Sequence, residues 1–203
     1  KVLLQRNGYR EDWISSKNNN NNKKPIAIYS STPFRGLDVL ANCWENIYNL
    51  CVKKNVTPTL IVCTGMSLYQ QPEDDFKELY EFLKQLPGVS FIGSVNQRKL
   101  YDILSECKTM LYPNHFLETG CMAVLEALAN NCWVVTTDLG ALKEQVVDYK
   151  NGFLIKGDSR SEEYKKQFID LSVNALCNQN LILDNEDLIF SWDEQAILMR
   201  KYI

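Results

Sequence analysis

Short apolar runs alternate with longer amphipathic stretches through most of this chain. Ile26-Ala27-Ile28-Tyr29, Thr59 to Cys63, Val89 to Ile92, Thr109 to Leu111, Trp133 to Thr136 and Gly152 to Ile155 are apolar or β-branched blocks closed by turn residues. Blocks of this length predict strands buried on both faces. The stretches between them carry helical periodicity. Arg35 to Lys54 puts Leu37, Leu40, Ala41, Trp44, Ile47 and Tyr48 on one side. Asp74 to Gln85 stops at Pro87-Gly88, and Gln97 to Glu106, Gly120 to Asn130 and Leu142 to Val147 complete the alternation. Helices at Glu162 to Cys177 and Ser191 to Tyr202 finish the chain. Strands alternating with helices imply βαβ crossovers and a parallel sheet covered on both faces.

Residues 1–24 stand apart from this pattern. Val2-Leu3-Leu4 is a lone apolar run, Asn7-Gly8 turns the chain, and Asn18 to Asn22 is a low-complexity tract that cannot bury a core. The reading is two regions: 1–24, a linker with an Asn-rich loop, and 25–203, a ligand-binding α/β domain. The first residue is Lys, not Met, so a fragment or processed chain is expected.

Composition narrows the function classes. With 203 residues, 45% hydrophobic and 23% charged, the chain reads as a soluble globular protein. A net charge of −3 without a basic stripe argues against nucleic-acid binding. No apolar run approaches the roughly 20 residues that a membrane-spanning helix needs. The seven cysteines form no C-x-x-C pair, which reads as buried free thiols in a reducing, cytoplasmic compartment.

Candidate chemistry concentrates in Tyr112-Pro113-Asn114-His115-Phe116-Leu117-Glu118-Thr119-Gly120-Cys121-Met122-Ala123-Val124-Leu125-Glu126. A strand, a loop and a helix N-terminus follow one another there, the place where open α/β sheets bind anionic ligands. Cys121, Val124, Leu125 and Leu128 make one apolar stripe, and Glu126 lies off it. Glu126 falls about 9 Å along the axis from Gly120 at 1.5 Å per residue, about the span of a diphosphate plus part of a ribose. A nucleotide-sugar could lie along this helix: sugar near Glu118, diphosphate at the N–H groups of Gly120, Cys121 and Met122, ribose hydroxyls at Glu126. A carboxylate accepts two hydroxyl hydrogen bonds at once, which suits a vicinal diol. The plain alternative is that both glutamates are solvated helix residues, because this spacing alone is common.

A second constellation, Ser30-Ser31-Thr32-Pro33-Phe34-Arg35-Gly36-Leu37-Asp38, joins the first strand to the first helix. Its hydroxyls can cap free N–H groups or meet phosphate oxygens, Gly36 lets the backbone approach a ligand, and Arg35 offers a planar fork to a diphosphate. The alternative is capping serines beside a solvent-facing arginine. The loop is neither G-x-G-x-x-G nor a P-loop.

Together and in this order, these stretches resemble the C-terminal half of GT-B glycosyltransferases, in particular the family 4 retaining enzymes. The matching residues are Arg35-Gly36-Leu37-Asp38, Phe91-Ile92-Gly93-Ser94-Val95, Glu118 through Glu126-Ala127-Leu128-Ala129, Val134-Val135-Thr136-Thr137-Asp138-Leu139-Gly140 and Asn151-Gly152-Phe153-Leu154. Ser191-Trp192 is similar to the closing helix that crosses back to the other domain. The resemblance implies a Rossmann-like parallel sheet and transfer of a sugar, with retention, from a UDP- or GDP-sugar, with no cofactor and no metal. Glu118 and Arg35 would carry the catalysis, Glu118 on the sugar hydroxyls and Arg35 on the diphosphate. Val95 would meet the base through its backbone, and Gly120, Cys121 and Met122 would give N–H groups to sugar and diphosphate. Glu126 would hold the ribose. The acceptor, a glycan, lipid or protein, would bind an N-terminal domain not contained in this chain. Any essential histidine would come from that domain, and His115 would be a donor-loop residue. This sequence departs from the pattern at Tyr29, where a basic residue is usual, so Ser30 and Ser31 are candidates to replace it at the phosphates. Asn131-Cys132-Trp133 replaces the usual Gly-x-Pro. Competing readings are a GT-B-like nucleotide-sugar epimerase, a phosphorylase and a non-catalytic nucleotide-sugar-binding module. The isolated chain is expected to be inactive.

Overall fold

The computed structural model describes residues 6–14, 23–67, 70, 72–186 and 188–201. The Asn18–Asn22 tract and Val2-Leu3-Leu4 lie outside the described residues. Strands β1 (Ile26–Ser30), β2 (Thr59–Cys63), β3 (Val89–Phe91), β4 (Thr109–Tyr112), β5 (Trp133–Thr137) and β6 (Gly152–Ile155) form one sheet in the order β3-β2-β1-β4-β5-β6. Every pairing is parallel, with Ala27 opposite Leu60 on one side and Thr109 on the other. Helices α1 (Leu37–Lys53), α2 (Lys77–Gln85), α3 (Gln97–Glu106), α4 (Met122–Ala129), α5 (Leu142–Gln145), α6 (Glu162–Cys177) and α7 (Trp192–Arg200) fill the crossovers and the C-terminal stretch.

Burial is fullest in the centre of the sheet, although edge strand β6 is also mostly covered. All residues of β4 and β5 are buried, as two-sided packing requires of central parallel strands, whereas edge strand β3 is only partly covered. Helix starts are set by side chains: Asn96 accepts from the Lys99 N–H at 2.8 Å, Ser161 from the Tyr164 N–H at 3.2 Å, and Ser191 with Glu194 forms a reciprocal capping box. Ser191 is thus the cap of α7 and not its first turn. Asp74 to Phe76 is a 3-10 turn ahead of α2, so that helix starts three residues later than its periodicity suggests. Leu86 ends α2 in extended backbone, as the residue before a proline prefers.

Two clasps tie the periphery to the sheet. The Lys23 ammonium donates to the carbonyls of Cys107 (2.8 Å), Leu104 (3.4 Å) and Asn130, so one cation serves the C-terminal ends of α3 and α4. Tyr9 bridges Ser191, the Arg10 N–H reaches the Tyr101 hydroxyl at 3.1 Å, and Trp13 meets the Tyr101 ring edge-on at 5.5 Å. Residues 6–14 therefore pack on α3 and on the start of α7. The cysteines are all free, and only Cys177 is not buried.

Candidate functional site

The order of the strands reverses between β1 and β4. Chain connections run outward from β1 through β2 to β3 on one side and from β4 through β5 to β6 on the other. The loops leaving such neighbours diverge and open a crevice at their carboxyl ends. A cleft of about 410 Å³ lies there. Its walls come from the loops after four strands: Ser30, Ser31, Thr32 and Arg35 after β1, Thr64 after β2, Val95 after β3, and Gly120, Cys121, Met122 and Glu126 after β4. Larger grooves of about 610 and 760 Å³ run between α1 and α6, but helix surfaces line them and no strand end opens into them.

Arg35 anchors one wall. Its Nη1 lies 3.0 Å from Glu118 Oε1 and 3.3 Å from Oε2. The guanidinium carbon stands 4.6 Å from the Phe116 ring centre and 5.5 Å from that of Phe34. Glu118 is buried and also accepts a 2.6 Å hydrogen bond from the Tyr112 hydroxyl at the end of β4. Glu118 itself does not line the cleft, and its pair with Arg35 joins the loops after β1 and β4 across the switch point, with the Tyr112 hydroxyl bracing it from the strand end. Burial pushes the Tyr112 phenol well above its ordinary range, so it stays a donor.

The hydroxyls of the first loop divide into two kinds. Ser31 Oγ lies 3.4 Å from the Tyr112 hydroxyl. Ser30 Oγ and Thr32 Oγ1 are buried, line the cleft and have no partner among the described residues. A buried hydroxyl left without a partner costs free energy, and an acceptor entering the cleft would satisfy both. Tyr29, at the position where a basic residue is usual, points into the core and donates to the Thr32 carbonyl at 2.7 Å. It braces the loop from behind.

The opposite wall is α4. Glu126 is 4% exposed although it lies off the apolar stripe, because Val124, Leu125, Ala127 and Leu128 are buried too. Its Oε1 accepts a 2.5 Å hydrogen bond from Gln97 Nε2 at the first turn of α3. Desolvation raises its carboxyl above the ordinary glutamate value, and the bond from Gln97 acts the other way. At the N-terminal end of α4 the structure differs from expectation at one atom. The Cys121 N–H is occupied by Gln145 Oε1 at 3.2 Å, while Gln145 Nε2 returns a bond to the Cys121 carbonyl at 3.1 Å. This clamp fixes the peptide that begins the helix.

Gly36 has a different role from the one its loop suggests. With φ +97°, its would-be Cβ falls 2.1 Å from the Pro113 carbonyl oxygen. The close approach is to the β4 loop of the chain itself. His115 engages the protein surface, with Nε2 3.1 Å from Arg160 Nη2 and 3.5 Å from Asp38 Oδ1. Gln97 and Gln145 bear on the site without being marked by any local motif, and Thr32 and Tyr112, within the candidate stretches, had no individual role assigned to them.

A parallel, order-reversing sheet with a polar cleft at its switch point is a Rossmann-like fold, the architecture of the C-terminal half of GT-B proteins. The family described as glycosyl transferases group 1 matches residues 11–182, and this chain belongs to it. No curated protein matches the sequence. Solved structures share the fold at low identity. Anabaena HepE in complex with UDP-glucose is 17% identical, with a TM-score of 0.61 over 98% of this chain and 57% of its own. A glycosyltransferase from Rickettsia africae is 13% identical, with a TM-score of 0.63 over 99% of this chain and 56% of its own. Sucrose-phosphate synthase from Thermosynechococcus elongatus is 15% identical, with a TM-score of 0.62 over 96% and 50%. The chain thus spans about half the length of these relatives. No helix among the described residues is long and apolar enough to cross a membrane.

Proposed function

We propose that this chain is the donor-binding domain of a family 4-like glycosyltransferase that moves a sugar from a UDP- or GDP-sugar to an acceptor with retention. The cleft lined by Arg35, which is paired with Glu118, and by Glu126 carries this reading. Arg35 and the N-terminal end of α4 offer positive charge to a diphosphate, and the unpartnered hydroxyls of Ser30 and Thr32 offer neutral donors beside it. Glu126 accepts from the ribose diol, Val95 flanks the base, and Glu118 accepts from sugar hydroxyls. As the sugar leaves, charge develops on the diphosphate, and the same donors stabilise it without a bound metal. The UDP-glucose bound by HepE supports a uridine donor. A glycan, lipid or protein acceptor and a second domain complete the reaction, and a cytoplasmic setting fits the free thiols.

A thermal-shift screen with UDP, GDP and ADP tests the reading. One nucleotide should raise the melting temperature, since a ligand at 100 times its Kd adds about 2.7 kcal/mol. Glu126→Ala should abolish the rise. No shift with any of the three nucleotides on the wild-type chain would refute the donor site.

A further inference from the structure

The Glu126 carboxylate does not stand alone in its wall. Gln97 reaches it from another element, 29 positions away in sequence, with an amide N–H at 2.5 Å from Oε1. Gln97 is the first residue of α3, whose start is fixed by the Asn96 cap, and it is itself exposed. Its side chain is therefore aimed by a capped helix and has no core packing to serve. An ionised carboxylate accepts at about four lone-pair positions, and Gln97 uses one on Oε1, leaving Oε2 for an incoming hydroxyl. We infer that Gln97 is a positioning residue that holds Glu126 ionised and oriented so that it reads the ribose diol of a nucleoside diphosphate. The inference rests on the donor-site reading and names a device within it that the motif residues do not contain.

The need for such a device follows from burial. A carboxyl nine-tenths or more out of water drifts toward its neutral form, which presents a hydrogen to the ribose hydroxyl where an acceptor is required. Raised above the ordinary glutamate value by desolvation, Glu126 is lowered again by the Gln97 bond. The charged residues of α3, Arg98, Lys99, Asp102 and Glu106, are exposed, and the other ionisable groups on the elements packed around α4 are exposed or engaged elsewhere. The Tyr101 hydroxyl on α3, whose own value Glu126 helps to raise, receives the Arg10 N–H. Tyr112 on β4 donates to Glu118, β5 carries no ionisable residue, and Lys143 and Glu144 on α5 are exposed. Arg35 faces the cleft paired with Glu118. Gln97 is thus the side chain positioned to set the state of this carboxylate.

The test is the pH dependence of nucleotide binding to the full chain, by titration calorimetry from pH 5 to 8 with UDP, GDP and ADP, with the fold checked by circular dichroism at each pH. Affinity for the nucleotide that binds should be level at high pH and fall as pH drops through the Glu126 transition. Gln97→Leu removes the donor and should move that fall to higher pH. Gln97→Lys supplies a cation and should move it to lower pH. The 2′-deoxy form of the same nucleotide, whose terminal phosphate titrates alike, should bind more weakly at high pH and lose less affinity on acidification, the difference between the two reporting on Glu126. Opposite displacements in the two variants, confined to the ribonucleotide, support the inference. If all three proteins share one midpoint while the wild type binds, the positioning role is refuted and the donor site stands. If no nucleotide binds the wild type at any pH, both fall.

Discussion

Of the two glutamates, Glu126 lines the cleft and Glu118 is buried outside its lining, and they meet opposite environments. Glu118 has a cation and a phenol against it, with Arg35 Nη1 at 3.0 Å and the Tyr112 hydroxyl at 2.6 Å. Glu126 has one neutral amide. Removing Arg35 leaves the buried Glu118 with the Tyr112 hydroxyl and no cation, so Arg35→Ala should cost about 3 kcal/mol of stability. Denaturant unfolding checks this, and a change below about 1 kcal/mol would mean that the pair is solvated. For Glu126 the sign is reversed. Its folded-state value is raised, so the folded chain binds more protons than the unfolded chain in the window above the unfolded glutamate value. Stability therefore falls as pH rises through that window, and the ionised glutamate is a liability at neutral pH. Glu126→Gln should raise the melting temperature at pH 7 while weakening nucleotide binding, and the rise should vanish below about pH 4, where the unfolded carboxyl is protonated as well. A parallel loss of stability and binding would show that Glu126 is structural.

At the scale of elements, the site depends on how loops are pinned. The turn into α1 works only because Gly36, at φ +97°, lies against the Pro113 carbonyl. Gly36→Ala should destabilise the chain by about 2 kcal/mol or more, through left-handed backbone strain and the clash together. Equilibrium unfolding measures it, and a neutral result would show that the two loops can separate freely. Lys23 performs a comparable task behind the sheet, and Lys23→Met should lose about 1–2 kcal/mol as carbonyls at the ends of α3 and α4 lose their donor. What could be read from sequence at this scale was what is periodic. The unbroken runs of β2 and β6 and the spacings of α3 and α6 gave their bounds directly, because burial imposes a pattern on consecutive residues. The short 3-10 turn at Asp74 to Phe76 imposes none, and the Ser191 cap differs from a helical serine only in its reciprocal bonds with Glu194. Of the residues read beforehand as candidates, Ser30, Ser31, Arg35, Val95, Gly120, Cys121, Met122 and Glu126 line the cleft, since all lie at or shortly after the ends of predicted strands, whereas Glu118 does not line it. Gln97 and Gln145 were not legible, since each acts across 24 or more positions and no local pattern marks a glutamine that bonds at long range. Thr32 was in plain view, but its lack of a partner is a fact about packing, not about spacing.

For the whole molecule, one parallel sheet with a single reversal of direction locates the chemistry. The reversal between β1 and β4 brings Arg35 and Glu118, far apart in sequence, into one pair and turns the α4 N-terminus toward the same cleft. The core around it is dense with thiols, and burial raises Cys43 and Cys63 to about 11 and Cys51 to about 12. Thiols held in that range carry almost no thiolate at pH 7.5. Iodoacetamide should therefore label Cys177 first and reach the others only as the domain opens, so that mass spectrometry of labelled sites against denaturant traces global unfolding. Labelling of Cys43 or Cys63 in the native chain would contradict the packing. The most direct measurement of the central claim is a crystal structure of this chain with the nucleoside diphosphate that stabilises it most. The diphosphate should lie between Arg35 and the first turn of α4, with the ribose hydroxyls on Glu126. A nucleotide bound instead in the groove between α1 and α6, or in the cleft with its ribose turned away from Glu126, would contradict it.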